Sequence, residues 1–415
     1  MESEASHRHK KRSKHTSNAP VSSSSVQDSN FKSTILPEEL VTEILLRLPV
    51  KSLLKFRCVS KFWLNLVTSP EFVKTHLSIT ANNKDFTHHR LMFRLMGPKY
   101  SLKDCSLSTF LYDSITRTFD LDYPMKNSCR FVAIVGSVNG LICLRIEEKD
   151  LVIWNPSIRK FKKLPDSLGT ISTTHFHYMY GFDYDELADD YKVVRGLRNF
   201  SSNNSCYIEV QMYSLNSDSW RIIDHIMSED LALHTGLFVN GKLHWVSKTS
   251  RDLHSYNDWD IISIDLADGK WGKVDKPCYG EGDPNFTPYM VVLGSDFSVY
   301  CKHPETFANL WVMKTYGVRE SWTKISNINV RYPDCAPFCM SNNGDVLLDF
   351  GRHILVYNPK DNSITYPEVP IYDVLYDTKI YIENLVWPIS AEGTKDATTT
   401  KTDQMKTTTT TTTTQ

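Results

Sequence analysis

The sequence lacks paired cysteines and long apolar runs. Its 415 residues include nine cysteines, an odd number, and none has C-x-x-C spacing. This pattern fits reduced core thiols better than a disulfide framework and predicts a reducing compartment, the nucleus or the cytoplasm. The first residues contain no apolar segment typical of a signal peptide, and no stretch approaches the ~20 apolar residues that cross a bilayer. We therefore expect neither secretion nor a membrane partner.

An excess of charge of one sign is also missing. The 47 Lys and Arg residues face 48 Asp and Glu residues, for a formal net charge of -1. Non-specific nucleic-acid binding requires an overall basic field, so no nucleic-acid partner is expected. The chain is instead 41% hydrophobic and 12% aromatic, which predicts that most of it folds.

The motifs of common enzymatic chemistry are absent. The sequence contains no G-x-S-x-G, Walker A loop, H-E-x-x-H or G-x-G-x-x-G. Two weaker metal patterns occur: His175-x-His177 has no identifiable third ligand, and Cys335-x₃-Cys339 has the wrong spacing for a zinc knuckle. Loop histidines and core cysteines are the better interpretation. We expect no enzymatic activity, cofactor or metal.

An acidic cluster lies in GFDYDELADDY, residues 181–191. Its carboxylates either bind Ca²⁺ or a basic partner, or belong to a solvated turn, and the pattern favours the solvated turn. The cluster comprises Asp183, Asp185, Glu186, Asp189 and Asp190.

Both ends of the chain are polar. Residues 1–33 are rich in Ser, Lys and His and contain a basic run from Arg8 to Lys14, which is either a nuclear-import signal or a solvated tail. Residues 391–415 are rich in Thr. Segments with so few apolar residues cannot offset their ordering entropy by burial, so the sequence predicts two disordered tails.

A helical region follows the first tail. Residues 36–77 contain no Gly, and their apolar residues recur at helical spacing, which predicts three short helices. Pro37 suits a first helical turn, Pro49 ends the first helix, and Ser60 is placed to cap the third. Three short helices cannot bury so many Leu, Val, Phe and Trp residues, and the surplus predicts a partner.

Beyond residue 85 the pattern indicates β-strands and no helices. One unit recurs: a turn, often Asn-Gly, then two strands and a polar turn that closes on an aromatic residue. The polar turns at Asn155, Leu215, Leu266, Tyr316 and Asn358 are separated by 60, 51, 50 and 42 residues. A period near 50 residues is typical of propeller blades.

This period predicts the fold class. The chain as a whole is α+β, with a helical domain over residues 34–77 and an all-β domain over residues 78–390, which forms a closed β-propeller of about six blades. The last run, 378–387, is expected to pair with residues 88–96 and close the ring. A β-sandwich is the alternative, because the chain has no Gly-Gly pair and a single Trp-Asp dipeptide.

The helical region resembles an F-box. The resemblance lies in Leu36-Pro37, in LPVKSLLKFRCVSKFW at 48–63 and in S-P-x-F at 69–72. With NPSIRKFKKLP at 155–165 and GFDYD at 181–185, nearly all of residues 36–390 resembles the plant F-box proteins that carry an F-box-associated or kelch-like domain.

The resemblance implies a function. The F-box of such a protein docks on a Skp-family adaptor, which joins it to the cullin and RING subunits of a ubiquitin ligase, and the β domain captures a protein substrate. Several of the matching positions, Ile44 and Val59 especially, are alternatively internal core. The adaptor-binding positions implied are Leu36, Pro37, Leu40, Ile44, Leu48, Pro49, Val50, Leu54, Arg57, Val59, Ser60 and Trp63.

Substrate choice is expected to lie in propeller loops, which vary on a rigid scaffold. Phe200, Tyr256, Trp259 and Tyr279 are the candidate contacts, because exposed aromatic residues anchor interfaces well; packing within a blade is the alternative. Three functional classes compete: a ligase substrate receptor, an F-box protein that binds or regulates outside a ligase, and an enzyme without a recognised motif.

Overall fold

The computed structural model of the protein describes residues 36–113, 116–127, 131–147, 150–166, 177–200, 206–226, 235–248, 259–278, 286–302, 308–328, 335–350, 353–369 and 373–388. Both predicted tails, the basic run within the first of them, and His175 lie outside these residues. The chain divides after Val41 into two compact units. In the part of the chain that is described, no helix has the length and apolar character needed to span a membrane.

Four helices precede the β domain: α1 (Glu38–Leu46), α2 (Val50–Phe56), α3 (Lys61–Thr68) and α4 (Pro70–Ala81). The sequence predicts three, and the fourth arises at Pro70. Proline disfavours a helical conformation in the residue before it, so Ser69 is extended, with φ −67° and ψ 141°, and α3 ends there. Ser60 caps α3 as predicted, because its hydroxyl accepts a hydrogen bond from the Trp63 N–H at 3.1 Å.

The described strands form six antiparallel sheets of four strands each. Blade 1 contains β24 (Val374–Ile382), β1 (His89–Met96), β2 (Tyr100–Ser106) and β3 (Phe119–Asp120). Blade 2 contains β4 (Val132–Val138), β5 (Leu141–Ile146), β6 (Asp150–Asn155) and β7 (Lys160–Lys163). Blade 3 contains β8 (His177–Asp185), β9 (Asp190–Phe200), β10 (Cys206–Ser214) and β11 (Ser219–Ile226).

The second half of the ring repeats this order. Blade 4 contains β12 (Leu237–Val239), β13 (Lys242–Lys248), β14 (Trp259–Asp265) and β15 (Trp271–Val274). Blade 5 contains β16 (Thr287–Leu293), β17 (Asp296–Lys302), β18 (Ala308–Met313) and β19 (Trp322–Ile328). Blade 6 contains β20 (Cys335–Met340), β21 (Val346–Phe350), β22 (His353–Asn358) and β23 (Ser363–Thr365). The first strand of each blade contacts the first strand of the next blade, in the order β24, β4, β8, β12, β16 and β20. Contact between β21 and β24 joins blade 6 to blade 1 and completes the ring. The six-bladed propeller is confirmed, and the sandwich is excluded.

The ring closes through β24 and β1, as the sequence predicts. Their antiparallel register places His89 opposite Ile382, so the C-terminal strand is the innermost strand of a blade whose other three strands are N-terminal. Just beyond β24, Asn384 is fully buried against blade 2. The Asn155 Nδ2 atom donates to the Asn384 Oδ1 at 2.9 Å and to the Val386 carbonyl at 2.7 Å. These bonds attach the end of the folded chain to blade 2.

The apolar core is divided among the interfaces between neighbouring blades. In the described residues each of the six interfaces contains one cluster, around Trp154, Tyr213, Trp245, Phe297, Tyr300 and Phe93. The last of these clusters joins blades 6 and 1. A helix that the sequence did not predict, α5 (Leu107–Tyr112), lies between β2 and β3 and adds Leu107 and Phe110 to that cluster, against which Cys339 also packs. A blade cannot bury both faces alone, so each depends on its neighbours.

Antiparallel order places successive connections at opposite ends of each blade. The Asn-Gly and Gly turns join first to second strands, and the polar turns join third to fourth strands, so both sets lie on one face, which we name the turn face. At 139–140 and 240–241 both residues have positive φ, as a type I′ turn requires. Connections between second and third strands and between blades lie on the opposite face, which we name the loop face.

The acidic cluster at 181–191 is a solvated turn only in part, because Glu186 and Asp189 are exposed whereas the carboxylates on the flanking strands are buried. Asp185 and Asp190 are buried. The Asp185 Oδ2 lies 2.6 Å from the Lys192 Nζ, which also donates to the Leu266 carbonyl of blade 4 at 2.7 Å. The Asp190 carboxylate accepts a hydrogen bond from the Ser214 hydroxyl at 2.6 Å. Buried carboxylates need such partners, and here they join strands and blades.

Deletion of residues 374–415 is expected to open the ring. It removes β24, leaves β1 with an unpaired edge and uncovers the cluster between blades 6 and 1. We expect aggregation in size-exclusion chromatography and loss of a single cooperative unfolding transition. A matched chain that ends at Ser390 should remain monodisperse. A soluble and cooperatively unfolding deletion variant would show that closure is dispensable.

One buried histidine offers a test of blade packing. His244 is fully buried between blades 4 and 5. Its Nδ1 lies 3.1 Å from the Leu237 carbonyl, which only accepts, so Nδ1 carries the proton and Nε2 accepts from the Tyr316 hydroxyl at 2.7 Å. Burial lowers the pKa of His244 to about 4.

Protonation of His244 at acid pH should therefore lower the free energy of unfolding of the protein. The unfolded histidine titrates near pH 6.5, so its contribution to the free energy of unfolding is complete above that pH and is lost as the pH falls towards 4. Between pH 7 and pH 4 the free energy of unfolding of the unsubstituted protein should fall by on the order of 3 kcal/mol more than that of the His244→Gln variant. Urea unfolding at several pH values measures this difference. Parallel pH profiles for the two proteins would contradict it.

Candidate functional site

Helices α2–α4 form a small bundle with its own core. Leu53, Val67 and Phe72 are buried. The rings of Phe56 and Trp63 meet edge to face, with centroids 5.2 Å apart. The bundle thus has a packed interior, and its remaining apolar residues are available on its surface.

His76 of α4 anchors the connection between α1 and α2. It is fully buried, its ring stacks on Phe72, and its Nε2 lies 3.0 Å from the Leu48 carbonyl. Because a carbonyl only accepts, Nε2 carries the proton. Burial lowers the pKa of His76, so the ring is neutral near pH 7 and holds Leu48 as a neutral donor.

The end of the bundle lies against the turn face of the propeller. The Lys74 Nζ is 2.7 Å from an Asp189 carboxylate oxygen in the turn between β8 and β9. The Asn342 side chain, in the turn between β20 and β21, donates to the Lys84 carbonyl. Both groups of the ion pair are exposed, so it contributes little stability but shows which face is covered. The loop face lies at the other end of the propeller.

Exposure separates the twelve predicted adaptor positions. The seven exposed positions are Leu36, Pro37, Leu40, Ile44, Pro49, Val59 and Ser60. The four partly exposed positions are Leu48, Leu54, Arg57 and Trp63. The remaining position, Val50, is buried. Ile44 and Val59 are 53% and 61% exposed, so the alternative that they are core is wrong. Val50 is 2% exposed, so the expectation of a surface contact is wrong there: it starts α2 and packs inside the bundle.

Sequence reasoning missed three exposed apolar residues, Phe62, Leu64 and Ile79. A signal for two of them was present, because α3 reads KFWLNLVT and has apolar residues on more than one face. A short helix that buries one face exposes the others. Several large exposed apolar side chains within so short a segment are characteristic of an interaction site.

Basic residues accompany this apolar surface. Residues 42–68 contain the single acid Glu43 and five bases, Arg47, Lys51, Lys55, Arg57 and Lys61. Arg47 pairs with Glu43 at 3.2 Å, whereas Lys51, Lys55 and Lys61 are exposed. A partner with an apolar centre and acidic margins matches this composition.

The four candidate substrate contacts do not form one described site. Trp259 is the first residue of β14 and is 2% exposed, so its expected place in an exposed loop is wrong. It packs edge to face on Phe286 at the interface of blades 4 and 5, where the adjacent blade covers its large ring. Phe200 ends β9 on the loop face, and its side chain lies outside the described residues, as do Tyr256 and Tyr279.

Known proteins share both parts of this chain. Residues 34–75 match the F-box domain, and residues 100–385 match the F-box associated beta propeller domain. The F-box/kelch-repeat protein At3g23880 of Arabidopsis thaliana is 30% identical, over 85% of this chain and 96% of that protein. The F-box protein CPR1 of the same plant is 31% identical, over 71% of this chain and 73% of that protein. The chain therefore belongs to the F-box proteins that carry an F-box-associated β-propeller domain.

Proposed function

We propose that this F-box protein is the substrate receptor of a Skp–cullin–F-box ubiquitin ligase. The helices dock on a Skp-family adaptor, which connects them to the cullin and RING subunits, and the propeller captures a protein substrate. The chain itself catalyses no reaction. The observation that carries the proposal is the exposed apolar set of Ile44, Val59, Phe62 and Leu64, which the bundle leaves outside its own packed core.

The arrangement of the two faces supports this division of labour. The helical bundle covers part of the turn face through α4 and the residues after it, so the loop face is available to a substrate. A receptor that does no chemistry must hold its substrate at a defined position while another subunit delivers ubiquitin. Six closed blade interfaces make the propeller a stiff spacer suited to that task.

The lengths of the connections also favour the loop face for recognition. On the turn face, connections from first to second strands range from two residues (139–140) to five (341–345). On the loop face, connections between blades range from six residues (329–334) to thirteen (164–176). Long and unequal connections on a rigid scaffold are where binding specificity is built.

Introducing negative charge into the exposed apolar surface should strongly weaken adaptor binding. Replacing both Ile44 and Val59 by Glu removes two apolar contacts, each worth ~1.5–3 kcal/mol when fully buried, and places carboxylates in the interface. We expect binding of a purified Skp-family adaptor to weaken by at least about 100-fold in isothermal titration calorimetry.

The matched control is Ile222→Glu, an exposed isoleucine on β11 of the propeller. It should bind the adaptor like the native protein, and all variants should share its thermal unfolding midpoint. Unchanged adaptor affinity in the double variant, with an intact fold, would refute the proposed docking surface.

Ligase membership makes a separate prediction. When the full chain is mixed with adaptor, cullin and RING subunits, all four should elute together in size-exclusion chromatography, because the adaptor can contact F-box and cullin at once. The Ile44→Glu/Val59→Glu variant should elute apart from the other three. A stable complex of chain and adaptor that excludes the cullin would instead support a role outside a ligase.

A further inference from the structure

Three arginines occupy related positions in consecutive blades. Arg94, Arg145 and Arg195 lie on β1, β5 and β9, the second strand of blades 1, 2 and 3. Arg145 is opposite Ala133, the second residue of β4, and Arg195 is opposite Tyr180, the fourth residue of β8. The first strand of each blade begins at the loop face, so Arg145 lies at the loop-face end of blade 2, whereas Arg195 lies near the middle of β9.

A shared aromatic ring connects the first two of these arginines. The Arg94 Cζ lies 4.3 Å from the ring centroid of Tyr376 and 5.0 Å from that of Phe131. The Arg145 Cζ lies 4.8 Å from the same Phe131 centroid and 5.4 Å from that of Tyr180. The shared ring keeps the first two guanidinium groups within about 10 Å of each other.

The hydrogen bonds that the structure shows for the two buried arginines go to neutral acceptors. The Arg94 Nε donates to the Val132 carbonyl. The Arg195 Nε and Nη2 donate to the Gln211 Oε1 at 3.2 and 2.9 Å, and its Cζ lies 4.0 Å from the Trp220 ring centroid. Within the described residues, none of the ion pairs involves any of the three arginines.

Nearby carboxylates attract two of the arginines electrostatically, but they lie too far away to form ion pairs with them. Asp377 attracts Arg94, and Glu209 and Asp166 attract Arg195. The Glu209 carboxylate already accepts a hydrogen bond from the Gln211 side chain. Burial lowers the pKa of Arg195 to about 10, so it is still cationic at pH 7. The protein thus keeps three incompletely neutralised cations in one arc of its propeller.

We infer that this arc of the loop face binds an acidic segment of the protein substrate, an inference that rests on the proposed function. Arg145, which is partly exposed, is the contact residue, whereas Arg94 and Arg195 are only 5% and 2% exposed and act through their field. The exposed face of Tyr376 offers an apolar surface beside them. An approaching anion offsets the mutual repulsion of the desolvated cations.

The spacing favours several carboxylates over one phosphate. A single phosphate is bound most strongly by a clamp of guanidinium groups that all reach it. Here only Arg145 of the three arginines is partly exposed, and the positive charges are distributed over three blades. Charges distributed along a peptide match that distribution better.

The test uses the full chain and fluorescein-labelled peptides of twelve residues that alternate Gly with Glu, Gln or phosphoserine. Fluorescence anisotropy should show binding of the Glu peptide, weakened by added salt, and none of the Gln peptide. Arg145→Gln should weaken binding of the Glu peptide at least ~fivefold, and Arg145→Lys should retain part of it. Lys360→Gln, which removes one exposed charge from the turn face, is the matched control and should bind like the native chain.

Three outcomes would overturn the inference: equal binding of the Glu and Gln peptides, undiminished binding by Arg145→Gln with an unchanged unfolding midpoint, or binding of the phosphoserine peptide alone. If Arg145→Gln fails to fold, the comparison of Arg145→Lys with the native chain decides. Adaptor binding is measured in parallel. Loss of the peptide result with adaptor binding intact refutes this inference alone, whereas loss of adaptor binding refutes the proposed function.

Discussion

The pairing of β24 with β1 is the contact on which the rest of the propeller depends. Four of the six blade interfaces join blades whose strands follow one another along the chain, whereas both interfaces of blade 1 combine strands from both ends of the chain. Without that pairing, Phe93 and Leu347 lose their shared cluster, and blade 1 lacks its inner strand. The buried bonds between Asn155 and Asn384 then secure the end of the chain after β24. Closure therefore distributes one apolar core around a complete ring.

The same closure determines where the helices meet the propeller. Because β24 is the innermost strand of blade 1, the chain enters that blade at the second strand, β1, which begins at the turn face. The Glu383 N–H donates to the His88 carbonyl at 2.9 Å just where β1 begins. If β1 were innermost, antiparallel order would bring α4 to the loop face instead. The separation of helices from loop face is thus a consequence of strand order.

The two proposed binding surfaces differ in their chemistry because they are built differently. The helical surface is apolar since short helices cannot bury all of their faces, as Ile44 and Val59 show. The proposed loop-face surface instead includes arginines that form no ion pair among the described residues. Elsewhere in the ring the buried carboxylate of Asp185 forms an ion pair with Lys192 at 2.6 Å. Arg145 forms no ion pair with a carboxylate among the described residues. We therefore propose an apolar partner for the helical surface and an acidic one for the loop face.

Local pattern was enough to predict the helical region, the cap at Ser60, the repeated turns and the closing strand, because caps, type I′ turns and strand alternation depend on neighbouring residues. The sequence repeat did not reveal blade 1, because α5 stands where the repeat has a polar turn and because the strands of this blade come from both ends of the chain. The burial of Val50 and Trp259, the bond between Asn155 and Asn384, and the convergence of the arginines were decided only by the tertiary structure. Each depends on which distant segment packs against the residue, and that information appears only when the ring is assembled.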